Sequence, residues 1–442
     1  MSMVTEPKAP DAARRWDLRV MVVLVACSFA FALLPPGFDW SQIEAQGSYA
    51  GGSLAMQLEF GSLFLAGAWL ALRNLESTLA NLRRSNPFLL AFVAWCLLSV
   101  LWSPYPVVTL KRVVQLAGFT LVGIAVAAPL GGPRLLLRVL LAALTALLVA
   151  SMVVTITHPL QGVDYELGGA WRGIMGQKNT LGAASGICAL LWLRELLGER
   201  QLPWPIAAGG LLFALAMMVL AKSSTALLVT GLGMAAYLSL RWRGVALRRP
   251  AWVMALGAAA VLAAAAHFFY VVAGRLPAWS DLAGLVSAAF NKNADLTGRT
   301  DIWELVLMEV QRHPLQGIGY GAFWLGEGSR SQYVIDMLGW IPLQSHNGYL
   351  DILNEVGVVG LVLAAGALVW HAVAVARLLR AERELGALYA ALLLMMLVSN
   401  TTESEMFRGV LFYNVLLFLL AAGVAASLRL HGGAGERRRA VA

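Results

Sequence analysis

The sequence predicts an all-α polytopic membrane protein with about twelve transmembrane helices. Hydrophobic residues make up 59% of the 442 residues and charged residues 13%, whereas soluble domains carry about 25% charged residues. The mean hydropathy is +0.70, and apolar runs near the roughly 20 residues that a spanning helix needs recur along the chain. This pattern excludes a soluble protein with one membrane anchor and predicts a single integral membrane domain over 1–442.

Twelve apolar runs are expected to span the membrane. Their approximate limits are 20–36, 53–72, 88–102, 107–129, 135–157, 179–196, 205–221, 225–240, 251–273, 347–376, 386–400 and 409–428. One alternating set of loops carries most of the 33 basic residues. The positive-inside rule places that set, with the tails 1–19 and 429–442, in the cytoplasm.

Charge and cysteine content indicate which ligands this protein is not expected to bind. The net charge is +8, but basic residues spread over short loops reflect topology, so we expect no nucleic acid as a partner. Cys27, Cys96 and Cys188 fall inside apolar runs without metal-ligand spacing and are interpreted as small buried hydrophobic residues. The sequence has no Gly-rich phosphate loop, HExxH or Asp-x-Asp motif. We therefore expect neither a cofactor nor a metal.

Two loops are expected on the opposite, periplasmic side, where they would form the active-site face. One covers about 158–178 and the other about 273–346. Structureless loops of this length are uncommon unless they are functional. The longer loop is expected to contain helices at "LAGLVSAAF" and "DIWELVLMEVQRH". Four of its basic residues are assigned to a solvated or headgroup-facing role: Arg275, Lys292, Arg312 and Arg330.

Three turns on that side place a cation at the start of a helix. They are "WRGIMGQKNTLG" with Arg172, Lys178 and Asn179, "LAKSSTALL" with Lys222, and "LTGRTDIW" with Arg299 and Asp301. A helix N-terminus offers free N–H groups and the positive end of the helix dipole. Arginine binds phosphate oxygens bidentately, so the turns together favour a lipid-linked diphosphate. For each turn alone, an N-cap beside a snorkelling cation stays open.

A fourth stretch, "SHNGYLDILNEVG" (345–357), places His346 at the predicted membrane boundary on the same side. A histidine there can take a proton from a hydroxyl group. A helix cap formed by Ser345 and Asn347, with His346 incidental, is the other interpretation, and both stay open.

Carboxylates follow His346 along the same predicted helix. Asp351 and Glu355 are four residues apart and share one helix face, and carboxylates inside a membrane are usually functional or paired. We expect them to pair with arginine or lysine and to orient His346. The segment "NTTESEMFRG" (400–409) offers further pocket candidates: Glu403, Glu405 and Arg408.

These motifs, taken in order, resemble the O-antigen ligase and Wzy-type polysaccharide polymerase superfamily. The likeness is carried by "RGIMGQKNTLG", "KSSTALL", "GRTDIW" followed by "HPLQGIGYGAFW", and "SHNGYLDILNEVG". It covers about 170–360 and is greatest to exopolysaccharide polymerases of the succinoglycan type. The resemblance implies a metal-independent, inverting glycosyltransferase of the GT-C kind. Such an enzyme acts on undecaprenyl diphosphate-linked glycans at the outer face of the bacterial inner membrane.

The resemblance also implies roles for particular residues. The essential arginines and histidine of the family match Arg172, Arg299 and His346, while Gln177 stands where relatives often have histidine. His346 would accept a proton from, or position, the acceptor hydroxyl as the diphosphate leaves, and Arg172, Lys178 and Arg299 would stabilise the developing charge. The remaining predicted substrate-binding residues are Asn179, Lys222, Asn347, Asp301 and Trp324. Trp324 could stack on a sugar ring or belong to an interfacial aromatic belt.

Several functions stay open. The implied substrates are a lipid-linked oligosaccharide donor and an acceptor that is either another glycan or lipid A-core, with a chain-length regulator as a further partner. The "SHNGYLD" form favours a polymerase over an O-antigen ligase or a protein O-oligosaccharyltransferase. A polysaccharide transporter would place ionisable residues near the bilayer midplane, but here they gather at one face.

Overall fold

The computed structural model describes residues 12–38, 53–129, 133–198, 202–242 and 299–441. Its first helices are α1 Ala12–Leu33, α2 Leu54–Arg73, α3 Leu75–Arg83, α4 Pro87–Leu98, α5 Pro106–Val126, α6 Pro133–Thr157 and α7 Pro159–Gly162. The helices that follow are α8 Lys178–Leu197, α9 Trp204–Leu220, α10 Ser224–Arg241, α11 Arg299–Arg312, α12 Gln332–Leu338, α13 Gly348–Ala381, α14 Arg383–Ser399 and α15 Phe412–Val441. Two 3₁₀ turns cover Pro36–Phe38 and Ser99–Leu101.

The predicted all-helical, polytopic character is confirmed over the described ranges. Seven helices there are long and apolar enough to cross a membrane: α1, α2, α5, α6, α8, α13 and α15. Helices α3 and α4 meet at 93° and would make an eighth span together, whereas α9 is apolar but shorter. The count of twelve stays a prediction, because the expected span 251–273 lies outside the described residues.

Proline and asparagine set where several helices begin. Helices α4, α5, α6 and α9 carry proline in the first or second position, where the missing N–H costs no helical hydrogen bond. At α4 the Asn86 side chain also caps the helix by accepting from the backbone N–H groups of Phe88 at 3.2 Å and Leu89 at 3.3 Å. These signals explain why the predicted and observed helix starts agree closely here.

Small residues allow the helices to pack closely. Helix α8 packs against α9 and α10, and α10 packs against α14. A Cβ atom at Gly186 would lie 2.1 Å from the Thr230 hydroxyl, and one at Gly233 would lie 2.5 Å from the Met395 sulfur. Glycine at helix contacts is common in membranes, because close backbone approach adds dispersion attraction where the hydrophobic effect is weak.

One feature departs from the all-α prediction. Strands β1 Val163–Asp164 and β2 Ala170–Trp171 form a short antiparallel hairpin in the loop between α7 and α8. Gly168 and Gly169 have φ values of 70° and 73°, and the Gly169 N–H closes the turn onto the Asp164 carbonyl at 2.9 Å. Two-residue strands are too short to show the alternation that identifies a strand in a sequence.

Helix α13 is broken at Gly357, and the break admits a loop. Gly357 has φ 68° and ψ −172°. Two N–H groups of the loop donate to carbonyls of α13 before the break: Ile318 to Asn354 and Gly319 to Glu355. Two N–H groups of α13 after the break donate to carbonyls of the loop: Val358 to Pro314 and Val359 to Leu315. The loop therefore satisfies backbone groups that the break would leave unpaired, as a membrane environment requires.

The large loop before α13 has a small core of its own. The predicted helix "DIWELVLMEVQRH" is confirmed as α11, whereas "LAGLVSAAF", Arg275 and Lys292 lie outside the described residues. Ile302 and Val306 of α11 pack with Phe323, Trp324 and Val334 in a buried cluster. The Trp303 indole N–H donates to the Ser345 carbonyl at 2.8 Å. This contact holds the start of α11 beside the segment that precedes α13.

Candidate active site

Four side chains meet at the carboxylate of Glu403, in the loop between α14 and α15. Asn179 Nδ2 donates to Oε1 at 2.9 Å, and Gln344 Nε2 donates to Oε2 at 2.6 Å. His346 Nδ1 lies 3.2 Å from Oε2, and Arg299 Nη2 lies 3.6 Å from Oε1. We call Glu403 and these four residues the Glu403 cluster. Arg299, Asn179 and His346 were predicted from separate motifs, and the fold brings them together.

The elements of the cluster converge through their N-terminal ends. Asn179 lies in the first turn of α8, Arg299 is the first residue of α11, and His346 precedes the start of α13. Ser223, the N-cap of α10, donates its hydroxyl to Asn179 Oδ1 at 3.1 Å. Because helix N-termini are positive, this arrangement attracts an anion, and the Glu403 carboxylate occupies that position.

The predicted cap of α8 differs by two residues. In the sequence, Asn179 and Thr180 stand where an N-cap would precede the apolar run, but the helix begins at Lys178 with Gln177 as its cap residue. Gln177 makes no side-chain capping bond. Asn179 is therefore free to use both ends of its amide, with Glu403 on one side and Ser223 on the other.

His346 and Glu403 form a histidine–carboxylate pair. An ionised carboxylate only accepts hydrogen bonds, so the contact with Nδ1 calls for a proton on that nitrogen. In the neutral ring this leaves Nε2 with a free lone pair that can take a proton. From the sequence, Asp351 and Glu355 were expected to orient His346, but Glu403 occupies that position in the structure. A carboxylate 57 residues away carries no local signal for this pairing.

The backbone is strained at this place. Among the described residues with a side chain, positive φ values occur at His346 (55°), Lys222 (48°), Phe407 (57°) and Phe38. The first three belong to the motifs around the Glu403 cluster. Such conformations cost of order 1–3 kcal/mol each and persist where the surroundings impose them, often at functional sites.

A second charged group lies one helical turn into α13. Asp351 is fully buried and accepts from the Trp324 indole at 2.8 Å and from Arg408 Nη1 at 3.2 Å. The expected pairing of Asp351 with an arginine is thus confirmed. Glu355 is also buried, and its Oε2 accepts the Gly321 backbone N–H at 2.9 Å. Its Oε1 has no hydrogen-bond partner among the described residues.

Glu405 is a protonatable group next to Glu403. Burial, together with the negative charge of Glu403, raises the pKa of Glu405 to about 8. A hydrogen bond from the Tyr413 backbone N–H acts in the opposite direction. Glu405 therefore holds a proton at neutral pH, and Glu403 carries its charge without a second carboxylate charge beside it.

A cavity of about 780 Å³ opens beside the cluster. Asn179, Trp324, Glu403, Glu405 and Arg408 line one side, and apolar residues of α2 line another. The apolar wall includes Met56, Phe60 and Phe64. His346 and Arg299 do not line this cavity themselves; each contacts Glu403, which does. The combination of charged and apolar walls suits a ligand with a polar head and a hydrocarbon tail.

Two of the predicted cations donate to backbone carbonyls of the segment that precedes α8, one in α7 and one in the hairpin. Arg172 Nε donates to the Gln161 carbonyl at 2.9 Å, and Lys222 Nζ donates to the Gly168 carbonyl at 2.7 Å. Lys178 is half-buried at the start of α8. Arg172 and Lys222 thus help to hold the loop that precedes α8, close in sequence to Lys178 and Asn179.

Three other residues that were predicted to bind substrate lie at helix starts or in the buried core of the large loop. Asn347 is the N-cap of α13, and its Oδ1 accepts from the N–H groups of Tyr349 and Leu350, which matches the capping interpretation. Asp301 is exposed in the first turn of α11, where a negative charge stabilises the helix end. Trp324 is almost fully buried, with its ring edge-on to Phe323 at 4.7 Å.

Two residues of the site were not predicted from the sequence, namely Gln344 and Arg112. Gln344 accepts the Ser404 N–H at 2.8 Å while it donates to Glu403, so it joins the two loops that carry His346 and Glu403. Arg112 lines the 780 Å³ cavity from α5. Its sequence signal was the basic pair Lys111-Arg112 inside an apolar run, which marks a functional candidate in a membrane helix. Gln344 had no comparable signal.

Metal ligands do not gather here. Within the ranges that the structure describes, no three His, Cys, Asp or Glu side chains come together as a metal site would require.

Two comparisons show which known proteins this chain is similar to. A family model described as O-Antigen ligase matches residues 209–365. The chain is also 29% identical over 316 residues to the Exopolysaccharide production protein ExoQ of Rhizobium meliloti (strain 1021). That alignment covers 69% of this chain and 68% of the relative. The range of the family match contains three side chains that contact Glu403: Arg299, Gln344 and His346.

Proposed function

Because this chain is similar to members of the O-antigen ligase and polysaccharide polymerase family, we propose that it is an inverting membrane glycosyltransferase. It would polymerise the repeat units of a surface polysaccharide from undecaprenyl diphosphate-linked glycans. The observation that carries the proposal is the His346–Glu403 pair, 3.2 Å apart, with Arg299 on the same carboxylate. A base and a cation then stand together beside a cavity with an apolar wall.

The proposed reaction is a single displacement at the anomeric carbon of the donor glycan. The acceptor hydroxyl oxygen forms a bond to the anomeric carbon, and the bond between that carbon and the diphosphate oxygen breaks. The hydroxyl proton passes to Nε2 of His346, while the diphosphate leaves with the electron pair. Glu403 holds the ring through Nδ1 and stabilises the positive charge that the ring acquires. Attack from the face opposite the leaving group inverts the anomeric configuration.

Positive charge near the cluster would stabilise the departing diphosphate. Arg299 is the first candidate because it reaches the same carboxylate as His346. Lys178 and Asn179, at the positive end of α8, are the next. Arg172 and Lys222 enter the proposal as residues that shape the hairpin before α8. Such interactions are strongest where water is excluded.

The cavity suggests where the lipid part of a substrate would lie. Its apolar wall on α2 would carry the polyprenyl chain, and Arg112 and Arg408 would face the diphosphate. Trp324 would border the polar part of the substrate. A large share of the donor would then remain in lipid while its reacting carbon approaches His346. This placement agrees with a GT-C-type enzyme whose active site faces the periplasm.

The ligase remains the second candidate, and a specific finding supports it. The matching family model is described as O-Antigen ligase, whereas the curated relative is described as an exopolysaccharide production protein. Ligase and polymerase share a donor and differ in the acceptor, which is lipid A-core for a ligase. We favour the polymerase because the likeness to the exopolysaccharide relative extends over 69% of the chain.

Mass spectrometry of undecaprenyl-linked glycans in a strain lacking this protein tests the proposal. A polymerase predicts accumulation of single repeat units. A ligase predicts accumulation of long finished chains that are not attached to the final acceptor. Complementation with the Arg172→Ala, Arg299→Ala or His346→Ala variant should fail although each protein inserts and folds. If neither glycan accumulates in a strain without a paralogue, the glycosyltransferase proposal is wrong and transport becomes the better hypothesis.

A further inference from the structure

A second cavity lies at the end of the helices opposite the Glu403 cluster. Its volume is about 620 Å³, and it is bounded by α4, α5, α13 and α15. Most of the wall is apolar and includes Leu368, Trp370 and Phe418. The proposed reaction does not use this cavity.

Three arginines line the cavity, and no acidic residue among the described residues does. Arg84 follows the end of α3, Arg377 lies near the end of α13, and Arg429 lies on α15. Arg429 donates to the Asn81 side chain and to the Ala127 carbonyl. The side chains of Arg84 and Arg377 form no hydrogen bond or ion pair with the part of the chain that the structure describes. No carboxylate of the described residues therefore compensates the positive charge of Arg84 and Arg377 at this cavity.

The shape of the cavity matches a lipid that enters from one leaflet. Leu417 and Arg429 both line it, and their separation of twelve positions corresponds to a rise of roughly 18 Å along α15. Half of a bilayer's hydrocarbon core is about 15 Å thick. An acyl chain could thus lie along α15 while its headgroup stays level with the arginines.

We propose that this cavity binds an anionic phospholipid, with its phosphate on Arg84 and Arg377 and an acyl chain between α13 and α15. Arginine suits a phosphodiester because its fork of N–H groups can donate two parallel hydrogen bonds. Basic pockets between membrane helices are a recurrent form of anionic lipid site. Arg429 would shape the pocket, since its hydrogen bonds already join α15 to Asn81 and to the end of α5.

Native mass spectrometry of the full chain in a neutral detergent tests this site. Phosphatidylglycerol and phosphatidylcholine with identical acyl chains are titrated separately. We expect phosphatidylglycerol to bind at least about 10-fold more tightly. The double variant Arg84→Gln/Arg377→Gln should lose that preference. The matched double variant Arg83→Gln/Arg380→Gln removes two exposed arginines that do not line the cavity, and it should keep the preference.

Three results would overturn the proposal. The two lipids could bind the unaltered chain equally, a comparison that needs no variant to fold. The Arg84→Gln/Arg377→Gln protein could retain the full preference for phosphatidylglycerol. At equal concentration, undecaprenyl phosphate could displace phosphatidylglycerol from the unaltered chain but fail to displace it from the same double variant. That last outcome would assign the cavity to the polyprenyl substrate instead of a phospholipid.

Discussion

Glu403 is the residue through which distant parts of this chain meet. Its two carboxylate oxygens contact Asn179, Arg299, Gln344 and His346. These residues come from three separate segments, because Gln344 and His346 share the loop before α13. The side chain is 9% exposed, so each of these contacts is partly shielded from water and is stronger than a surface ion pair would be. Removing the charge should disturb His346 and Arg299 together.

Glu403→Gln and His346→Ala are both expected to lower turnover by about 10²-fold or more, the usual effect of losing a positioned base. The amide keeps the size of the side chain but removes the charge that stabilises a protonated His346. Product formation from undecaprenyl-linked repeat units in membranes measures this. Glu327→Gln, at an exposed position, is the control and should leave turnover unchanged. Near-normal turnover in Glu403→Gln would show that this carboxylate does not assist His346.

Glu405 should make stability depend on pH in a defined direction. Its folded pKa is about 8, whereas an unfolded glutamate titrates near 4.3. Between these values the folded state holds the extra proton, so stability falls as the pH rises from about 4.5 to about 8. The Glu405→Gln variant should lose this part of the slope when thermal unfolding in detergent is followed against pH. The same slope in the variant and the unaltered chain would contradict the assignment.

At the scale of the elements, the break in α13 decides the shape of the site. The first part of α13 carries Asp351 and Glu355, and the loop that enters at Gly357 carries Tyr320 and Trp324. A continuous helix would have no unpaired N–H and C=O groups to receive that loop. The break therefore links the second charged group to the wall of the 780 Å³ cavity.

Gly357→Ala should destabilise the protein by about 2 kcal/mol or more, because a left-handed backbone is costly for alanine and the new methyl group has no room. A Cβ atom at Gly357 would lie 2.2 Å from the Leu315 carbonyl oxygen. The midpoint of thermal unfolding in detergent measures the effect. Gly231→Ala in α10 is the matched control, since a Cβ atom there meets nothing within 4 Å. Equal midpoints for the two variants would show that the loop does not depend on the break.

At the scale of the whole molecule, two kinds of cavity lie at opposite ends of the helices. The Glu403 end combines acids, cations and a cavity with an apolar wall, whereas the other end carries arginines without acids among its described lining residues. The positive-inside rule assigns the arginine end to the cytoplasm, so the Glu403 cluster would face the periplasm. This orientation is a prediction that the arrangement of the helices makes easy to test.

Cysteine labelling tests the orientation. Glu327 lies in the loop before α12 and Arg380 near the end of α13, and both side chains are exposed. In cells with an intact inner membrane, a membrane-impermeant maleimide should label Glu327→Cys and spare Arg380→Cys until the membrane is opened. The unaltered chain gives the background, because Cys96 and Cys188 are buried and Cys27 is half-buried. The reverse labelling pattern would invert the proposed topology.

Much of this protein was readable from local signals. Apolar length predicted the spanning helices, proline and asparagine marked several helix starts, and the helix α11 was predicted from its period. Arg299, His346 and Asn179 were each found from a short motif. That Asp351 would pair with a basic residue followed from the rule that membrane carboxylates need a partner, and the structure identifies this partner as Arg408.

The sequence by itself determined which residues carry charge at the ends of membrane helices, because hydrophobicity and helix propensity act over a few neighbouring residues. Only the tertiary structure decided which charges meet. Glu403 is 57 residues from His346 and 224 residues from Asn179, and no local pattern distinguishes it from Asp351 as the partner of the histidine. That choice depends on how α8, α11, α13 and the loop after α14 pack, which follows from the summed contacts of many side chains.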